Sequence, residues 1–344
     1  MITVKFMAHT ASAIASLAPG PVDADRSFAE VEISVGDPGP HDLLVEVHAV
    51  SVNPVDVKTR ASFDGFEAPK VLGYDAAGVV VAVGSEVSRF AVGDAVYYAG
   101  AINRPGSNAR LQLVDERIVG HKPSSLSFCS AAALPLTTLT AWECLFDRLH
   151  LDKAGNGTLV VVGGAGGVGS MVIQLARRLT AMTVIATASR DVSESWVRSM
   201  GADEVVDHRQ LRDAVPPLAP DGVSAVFSSH SAGNVESYAR ILGVHGQVVA
   251  IDDPEGLDTM PLKQKSQSWL WEFMFTKPLY LPEDDSQHRI LDEVARMVDA
   301  GHLQSTATTV YDEFTVDTLR DAHRRSESGS TIGKIVLMRA DEND

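Results

Sequence analysis

The chain has 344 residues, of which 45% are hydrophobic, so it contains enough apolar material for the cores of about two domains. Its 45 acidic residues outnumber the 29 lysines and arginines and give a formal net charge of -16 at pH 7. A chain this acidic lacks the positive surface with which proteins bind nucleic acid or an anionic membrane. Composition therefore argues against nucleic acid and membrane as partners.

The cysteine content and the amino terminus predict a soluble, cytoplasmic protein. The two cysteines, Cys129 and Cys144, make neither a disulfide framework nor a zinc-cluster pattern, and we expect two buried thiols in a reducing compartment. The first ten residues lack the charged and apolar regions of a signal peptide. No apolar run reaches the ~18 residues that are needed to span a bilayer.

The first region, to about residue 128, has the texture of short strands separated by turns. The segments that favour strands are Leu44–Val50, Ala76–Gly84 and Ala95–Tyr98. Glycines and prolines recur between these segments. The pattern predicts a partly open β-barrel and not a helical bundle.

After Cys129, strands and helices alternate. A helix over Ala131–Phe146, with Pro135 near its start or at a kink, precedes an apolar strand over Thr158–Val162. The later predicted strands are Thr183–Ala188, Glu204–Val206, Val223–Phe227 and Gln247–Ile251. The later predicted helices are Ser170–Leu179, Ser193–Met200, Val235–Leu242, His288–Ala300 and Thr315–Ser326. This alternation predicts an α/β fold with a doubly wound parallel sheet.

Two further predicted strands fall outside this regular alternation of strands and helices. Lys277–Leu281 is a candidate for the sixth strand of the parallel sheet. The last strand, Lys334–Met338, follows Gly333 and is expected to rejoin the first region.

The strand Thr158–Val162 leads into a G-x-G-x-x-G sequence formed by Gly164, Gly166 and Gly169. Between a buried strand and an apolar helix, such glycines allow a sharp turn, a close approach of backbone to a pyrophosphate, and tight packing of helix on strand. The amino end of the helix then points at the phosphates. We predict a dinucleotide site at Gly164, Gly166, Gly167, Val168 and Gly169.

The end of the second strand indicates which dinucleotide is bound. An NAD site places Asp or Glu there, whereas this chain has Ser189 and Arg190 and no carboxylate before Asp191. A hydroxyl beside a guanidinium suits a 2′-phosphate, so NADP(H) is the predicted cofactor. The alternative is that Arg190 only starts a solvated helix face.

Several segments in order match one family. They are Val52–Lys58, Leu72–Gly78, Tyr97–Gly100, Arg104–Ala109, Ala131–Glu143, the glycine turn, Ala186–Arg190, Met200–Asp203 and Ile332–Leu337. The sequence resembles the medium-chain dehydrogenase/reductase superfamily, in its zinc-lacking quinone oxidoreductase branch, and within it the group labelled zinc-type alcohol dehydrogenase-like proteins.

The resemblance implies a GroES-like, partly open β-barrel catalytic domain joined to a Rossmann domain. It places the first part of the catalytic domain in residues 1–130, the NADPH-binding domain in 131–289 and the return to the catalytic domain in 290–344. It also implies a homodimer.

The chain departs from the family at the metal positions. Zinc alcohol dehydrogenases carry a cysteine ligand near the present Asn53 and a histidine in a G-H-E motif, which here reads Gly73-Tyr74-Asp75. No Cys, His, Asp or Glu occurs in residues 130–140 to supply a third ligand, and the four-cysteine structural lobe is absent. Because zinc needs three or four such ligands, the sequence predicts no metal.

Without a metal, oxidation of an alcohol has no evident Lewis acid or proton acceptor. Transfer of hydride to a quinone or an α,β-unsaturated carbonyl needs only alignment and hydrogen bonds to the oxygen that gains charge. The expected activity is therefore NADPH-dependent reduction of a small quinone or carbonyl substrate. The alternatives are a zinc-type alcohol dehydrogenase, an enoyl-thioester reductase, or a non-catalytic NADPH-binding regulatory protein.

The resemblance carries three catalytic candidates onto this chain, namely Asn53, Lys58 and Tyr74. Each has a structural alternative. Asn53-Pro54-Val55-Asp56 also has the pattern of a helix start, Lys58 could be a surface cation, and Tyr74 could be packed with its hydroxyl satisfied locally.

Further cofactor contacts are expected at Thr137 and Thr140, at Ser228 and Ile251 after sheet strands, and at Lys334. The two threonines could instead bond their own helix backbone. His230, in the loop after Ser228, is either a proton donor or an ordinary surface histidine.

Overall fold

The computed structural model describes residues 9–62 and 69–339. Residues 1–8, which carry most of the amino-terminal prediction, lie outside this range. The strands of the described chain are β1 (His9–Ser16), β2 (Ala29–Val35), β3 (Asp42–Val52), β4 (Lys70–Val71), β5 (Ala76–Val83), β6 (Ala95–Tyr98), β7 (Leu111–Asp115), β8 (Val119–His121), β9 (Asn156–Val162), β10 (Ala181–Thr187), β11 (Glu204–Val206), β12 (Val223–Ser228), β13 (Leu242–Ala250), β14 (Ser268–Trp271), β15 (Ala307–Tyr311) and β16 (Lys334–Met338).

The α-helices are α1 (Pro54–Ala61), α2 (Phe128–Ala132), α3 (Pro135–Trp142), α4 (Gly167–Leu179), α5 (Asp191–Ser199), α6 (Leu211–Ala214), α7 (Val235–Ile241), α8 (Thr276–Tyr280), α9 (Ser286–Asp299) and α10 (Val316–Glu327). Among the described residues, no helix is long and apolar enough to cross a membrane.

The chain divides into two units. Unit 1 comprises Met1–Leu136 and Phe275–Asp344, and unit 2 comprises Thr137–Met274. The two boundaries therefore fall at 136 and 275, whereas the domains implied by the family resemblance end at 130 and 289. The first boundary lies inside α3, at the start of which Pro135 stands.

Unit 1 is built on a seven-stranded, mainly antiparallel sheet with the order β15-β16-β3-β5-β6-β8, to which β7 adds by pairing with β3. β16 pairs antiparallel with β3, so the last strand rejoins the first region as the sequence predicts. A second sheet has the order β2-β1-β4. Buried β-branched residues of β3 and β5 belong to the main hydrophobic core of unit 1. They include Val45, Val47 and Val80.

Unit 2 contains a six-stranded parallel sheet with the order β11-β10-β9-β12-β13-β14. β9 lies in its centre, and its residues Leu159–Val161 are completely buried, as a strand covered on both faces requires. Starting from β9, the chain first adds β10 and β11 on one side and then β12, β13 and β14 on the other side. The predicted doubly wound parallel sheet is thus confirmed.

Two predicted elements are wrong in detail. The sixth strand is Ser268–Trp271, whereas Lys277–Leu281 falls mainly in the short helix α8. Pro278 explains this, because it has no N–H to donate to a sheet but is tolerated in the first turn of a helix. The helix predicted over Ala131–Phe146 is instead divided into α2, α3 and a π-helical segment over Glu143–Arg148.

Candidate functional site

The glycine turn follows the central strand β9 in unit 2. Gly163 has a φ of 78°, which a side chain would strain. An ideal Cβ on Gly169 would lie 2.3 Å from the Gly163 carbonyl oxygen and 2.8 Å from the Gly164 Cα. The first turn of α4 therefore packs directly on the backbone after β9, and only glycine fits there.

The amino end of α4 is open to a ligand. Its N-cap, Gly166, has no side chain to accept a hydrogen bond from the first N–H groups of the helix. A Cβ on Gly166 would approach only the Gly163 carbonyl oxygen, at 3.4 Å. Gly167 and Val168, the next residues, are partly exposed. Uncapped N–H groups at the positive end of a helix of this length bind phosphate readily.

The end of β10 lies beside the end of β9, because the two strands pair in parallel. The Thr187 hydroxyl accepts a hydrogen bond from the Gly163 N–H at 3.0 Å and thereby links the two strand ends. Ser189 and Arg190 follow with exposed side chains, and Arg190 is the N-cap of α5. The structure thus brings these residues to the same sheet edge as the glycine turn.

The remaining predicted cofactor residues of unit 2 differ in exposure. The Ser228 side chain is completely buried and lies 2.9 Å from the Tyr238 hydroxyl, so its own hydroxyl has an internal partner. Ile251 is partly exposed and follows β13 at the same sheet edge. Thr137 and Thr140 are buried in α3.

A polar cluster lies inside unit 1, and we call its members Asn53, Asp56, Asp75 and Lys334 the acid–lysine cluster. All four side chains are buried. The Lys334 ammonium group donates to the Asn53 side-chain oxygen and to the Val52 carbonyl at 2.9 Å, and it lies 3.2 Å from Asp75 Oδ2. The sequence predicts a cofactor contact for Lys334, but the structure encloses its charge among internal partners.

Asp75 accepts hydrogen bonds at both of its oxygens. Oδ2 accepts from the Ser51 hydroxyl at 2.7 Å and from Asn53 Nδ2 at 2.8 Å, and Oδ1 accepts from the Leu136 N–H at 2.8 Å. The Asn53 amide is therefore held at both ends, by Lys334 at its oxygen and by Asp75 at its nitrogen. Its position is fixed by the cluster, so the structure favours a structural role over the predicted catalytic one.

Tyr74 lies beside the cluster with its ring edge against Phe275, at a centroid distance of 5.3 Å. Its hydroxyl is buried and makes no hydrogen bond of full geometry. The nearby Thr59 side chain has a small lowering effect on the pKa of Tyr74. Burial and the neighbouring Asp56 raise the pKa of Tyr74, so its hydroxyl keeps its proton at neutral pH. Lys58 lies on the exposed face of α1.

Asp56 accepts hydrogen bonds from the Asn53 N–H at 2.8 Å and the Gly73 N–H at 3.0 Å, which fixes the start of α1 against the chain before Tyr74. Burial nevertheless raises the pKa of Asp56 to about 7, against the lowering effects of these bonds and of Lys334. Asp56 therefore does more than begin a helix, since it also holds the Gly73 backbone against the start of α1.

This pKa predicts the pH dependence of stability. The folded protein keeps the Asp56 proton up to about pH 7, whereas the unfolded chain releases it near 3.8. The contribution of Asp56 is therefore fully present below pH 4 and is lost as the pH rises towards 7. Relative to Asp56→Asn, the wild type should lose roughly 2–3 kcal/mol of unfolding free energy between pH 5 and pH 8.

Urea unfolding at both pH values measures this difference, with the exposed Asp221→Asn as the control variant. If the difference in unfolding free energy between Asp56→Asn and the wild type is the same at pH 5 and pH 8, then Asp56 is ionised throughout this range.

Two family models match the chain. The model described as an alcohol dehydrogenase GroES-like domain matches residues 39–127, and the one described as a zinc-binding dehydrogenase matches residues 200–337. A zinc-type alcohol dehydrogenase-like protein of Staphylococcus aureus (strain MSSA476) is 38% identical over 333 residues, which are 93% of this chain and 97% of the relative. The chain belongs to the medium-chain dehydrogenase/reductase superfamily. It is an oxidoreductase with a nicotinamide cofactor, and unit 1 contains the GroES-like fold.

Two other relatives of this medium-chain dehydrogenase/reductase carry descriptions of different activities. The structure of a protein described as a zinc-dependent alcohol dehydrogenase from Rhizobium etli CFN 42 is similar with a TM-score of 0.93 and 44% identity, covering 97% of this chain and all of that one. A chloroplastic NADPH-dependent alkenal/one oxidoreductase of Arabidopsis thaliana is 38% identical over 219 residues, which are 61% of this chain and 54% of the relative.

The residues at the family's metal positions do not fit a zinc ion. Tyr74 replaces the histidine, Asn53 stands near the cysteine position, and both oxygens of Asp75 are already engaged. The Lys334 ammonium group adds a positive charge beside Asp75, which would repel a cation. Across residues 9–62 and 69–339, no group of three or more His, Cys, Asp or Glu side chains could hold a metal.

The residues of unit 2 do fit a nicotinamide dinucleotide. The glycine turn lacks the Cβ atoms that would obstruct the backbone, and the amino end of α4 offers uncapped N–H groups. These features match the pyrophosphate site of Rossmann domains.

The sequence did not reveal the acid–lysine cluster as a unit. Its members lie far apart in the chain, at the start of α1, before β5 and at the start of β16. The signal for a buried ion pair was the lysine that begins the apolar strand Lys334-Ile335-Val336-Leu337. A lysine in such a strand is buried only when its charge is paired.

Proposed function

We propose that this protein is an NADPH-dependent, metal-independent oxidoreductase that transfers hydride to quinones or α,β-unsaturated carbonyls. One observation carries the proposal: the Lys334 ammonium group and three hydrogen-bond donors engage the carboxylate of Asp75, in the motif where zinc alcohol dehydrogenases hold their metal. The cofactor turn is intact, whereas both oxygens of Asp75 are engaged by other groups and leave no place for a Lewis acid at this position.

This combination limits the substrates that can react. An alcohol must lose a proton as it loses hydride, and a metal-bound alkoxide normally makes that possible. An enone accepts hydride at its β-carbon, its carbonyl oxygen gains the negative charge, and water supplies the proton to the α-carbon. A quinone is converted to a hydroquinone by the same gain of hydride and proton. Both acceptors are already electrophilic, so neither needs a metal.

The residues of the chain have separate tasks in this proposal. The glycine turn and the amino end of α4 hold the pyrophosphate, and Thr137 and Thr140 orient the nicotinamide carboxamide. When bound, the reduced nicotinamide supplies the hydride. Within unit 1, Tyr74 retains its hydroxyl proton because its pKa is raised, so it remains a hydrogen-bond donor for an oxygen that gains negative charge.

Two observations support NADPH over NADH. Ser189 and Arg190 follow β10 with exposed side chains, in the place where an NAD site has a carboxylate. The related Arabidopsis oxidoreductase is named as NADPH-dependent, and its name also specifies alkenals and alkenones.

Arg190→Ala tests the cofactor preference. Loss of a charge-assisted contact to a 2′-phosphate should weaken NADPH binding about 10- to 100-fold and leave NADH binding within about twofold. Fluorescence titration of both cofactors measures the effect, with Arg198→Ala, at the other end of α5, as the matched control. Equal losses for both cofactors would show that Arg190 does not contact the 2′-phosphate.

The activity itself is tested by steady-state oxidation of NADPH in the presence of 9,10-phenanthrenequinone or a simple alkyl enone, in parallel with reduction of NADP⁺ by alcohols. We expect turnover with the quinone or the enone and none with the alcohols. Binding of NADPH without turnover of either acceptor would favour a regulatory protein, and turnover only with enoyl thioesters would favour the thioester reductase.

A further inference from the structure

Two residues after β12 pack against the glycine turn. The Ser229 hydroxyl lies 3.1 Å from the Val162 carbonyl oxygen, at the end of β9. An ideal Cβ on Gly163 would lie 2.1 Å from Ser229 Oγ and 3.4 Å from His230 Nδ1. The imidazole of His230 therefore stands beside the backbone that leads into the amino end of α4.

The hydrogen bonds of Ser229 determine which nitrogen of His230 carries the proton. A hydroxyl has one proton, and that of Ser229 is donated to the Val162 carbonyl. Ser229 Oγ also lies 2.9 Å from His230 Nδ1, so in this contact the oxygen accepts and Nδ1 donates. Neutral His230 is then protonated at Nδ1 and has a bare acceptor at Nε2.

The backbone around His230 is also held in place. Its N–H donates to the Ser228 hydroxyl at 3.3 Å, and its carbonyl accepts from Asn234 Nδ2 at 2.9 Å and from the Tyr238 hydroxyl at 2.8 Å. The side chain is exposed, and Nε2 has no partner among the described residues. A fixed acceptor thus faces solvent at the sheet edge where the predicted cofactor residues gather.

We propose that His230 is part of the nucleotide site and accepts a hydrogen bond at Nε2 from a ribose hydroxyl of the bound dinucleotide, with Ser229 as the residue that fixes its tautomer. This inference rests on the proposed function, because it requires a dinucleotide at the glycine turn. A ribose hydroxyl is the fitting partner, since a neutral acceptor would repel a phosphate oxygen but binds an O–H.

Two substitutions at His230 distinguish the nitrogens. His230→Asn keeps a donor near the position of Nδ1 but does not reach that of Nε2, whereas His230→Gln places its side-chain oxygen near Nε2. We expect His230→Asn to raise the Kd for NADPH about tenfold and His230→Gln to stay within about threefold of the wild type. His245→Asn is the matched control, because His245 is exposed on β13 and asparagine tolerates its φ of 62°.

The role of Ser229 is tested by a double-mutant cycle. Ser229→Ala removes the acceptor that fixes the tautomer, so it should weaken NADPH binding several-fold in the wild-type background and have no effect when His230 is already Asn. An equal loss in both backgrounds would show that Ser229 acts on the turn and not through His230.

The measurement is fluorescence titration of each variant with NADPH, and thermal melting without ligand shows that each variant is folded. If the wild type binds NADPH and His230→Asn binds it equally well, the inference is wrong and the proposed function stands. An equal loss in the Asn and Gln variants also overturns the inference. If the wild type itself fails to bind NADPH, the proposed function fails, and the inference with it.

Discussion

Lys334→Met should lower the free energy of unfolding by about 3–5 kcal/mol, since it leaves the buried carboxylate of Asp75 without its counter-charge. The Asn53 side-chain oxygen loses its donor at the same time. Restoring the charge balance with Asp75→Asn in the same chain should recover most of the loss, because a neutral amide needs no buried cation.

Urea unfolding of the two single variants and the double variant measures this coupling. Lys153→Met, at an exposed position, is the control and should unfold like the wild type. A double variant no more stable than Lys334→Met alone would contradict the account, because it would mean that Asp75 and Lys334 do not compensate each other.

Gly169→Ala should reduce NADPH binding on the order of a hundredfold. Its Cβ would lie 2.3 Å from the Gly163 carbonyl oxygen and 2.8 Å from the Gly164 Cα, which are backbone atoms that no rotamer change can move. The first turn of α4 would have to shift and displace the N–H groups that would hold the pyrophosphate under the proposed function, and misplacement of about 1 Å has effects of this size. We also expect a lower melting temperature.

Gly166→Ala separates binding from folding. The nearest atom to its Cβ would be 3.4 Å away, so the melting temperature should stay close to that of the wild type, while a methyl group at the N-cap weakens NADPH binding about tenfold. Gly36→Ala is the control, because its Cβ would meet nothing within 4 Å. Full NADPH affinity in both Gly166→Ala and Gly169→Ala would place the cofactor elsewhere.

Local patterns were enough to predict the fold class. The apolar strand before Gly164 and the alternation of strands and helices after it correctly predicted the doubly wound parallel sheet, whereas the GroES-like fold of the turn-rich first region came from the family resemblance. These features depend on residues that are close in sequence, where hydrophobic period and turn chemistry act directly. The glycine turn was predictable for the same reason.

The arrangement of the polar groups was not predictable in this way. Asn53, Asp75 and Lys334 meet only because β16 pairs with β3, across most of the length of the chain. Exposure of Lys58 and burial of Lys334 likewise depend on tertiary packing. NADPH preference, assembly as a homodimer and a cytoplasmic location stay predictions of the sequence.

Turnover by metal-free protein tests the central claim most directly. The protein is treated with a chelator, its zinc content is measured by elemental analysis, and NADPH oxidation with the enone or quinone is then assayed with and without added zinc. The account predicts full activity at far less than one zinc per chain and no gain on adding zinc. Activity that disappears with the metal and returns in proportion to bound zinc would contradict it.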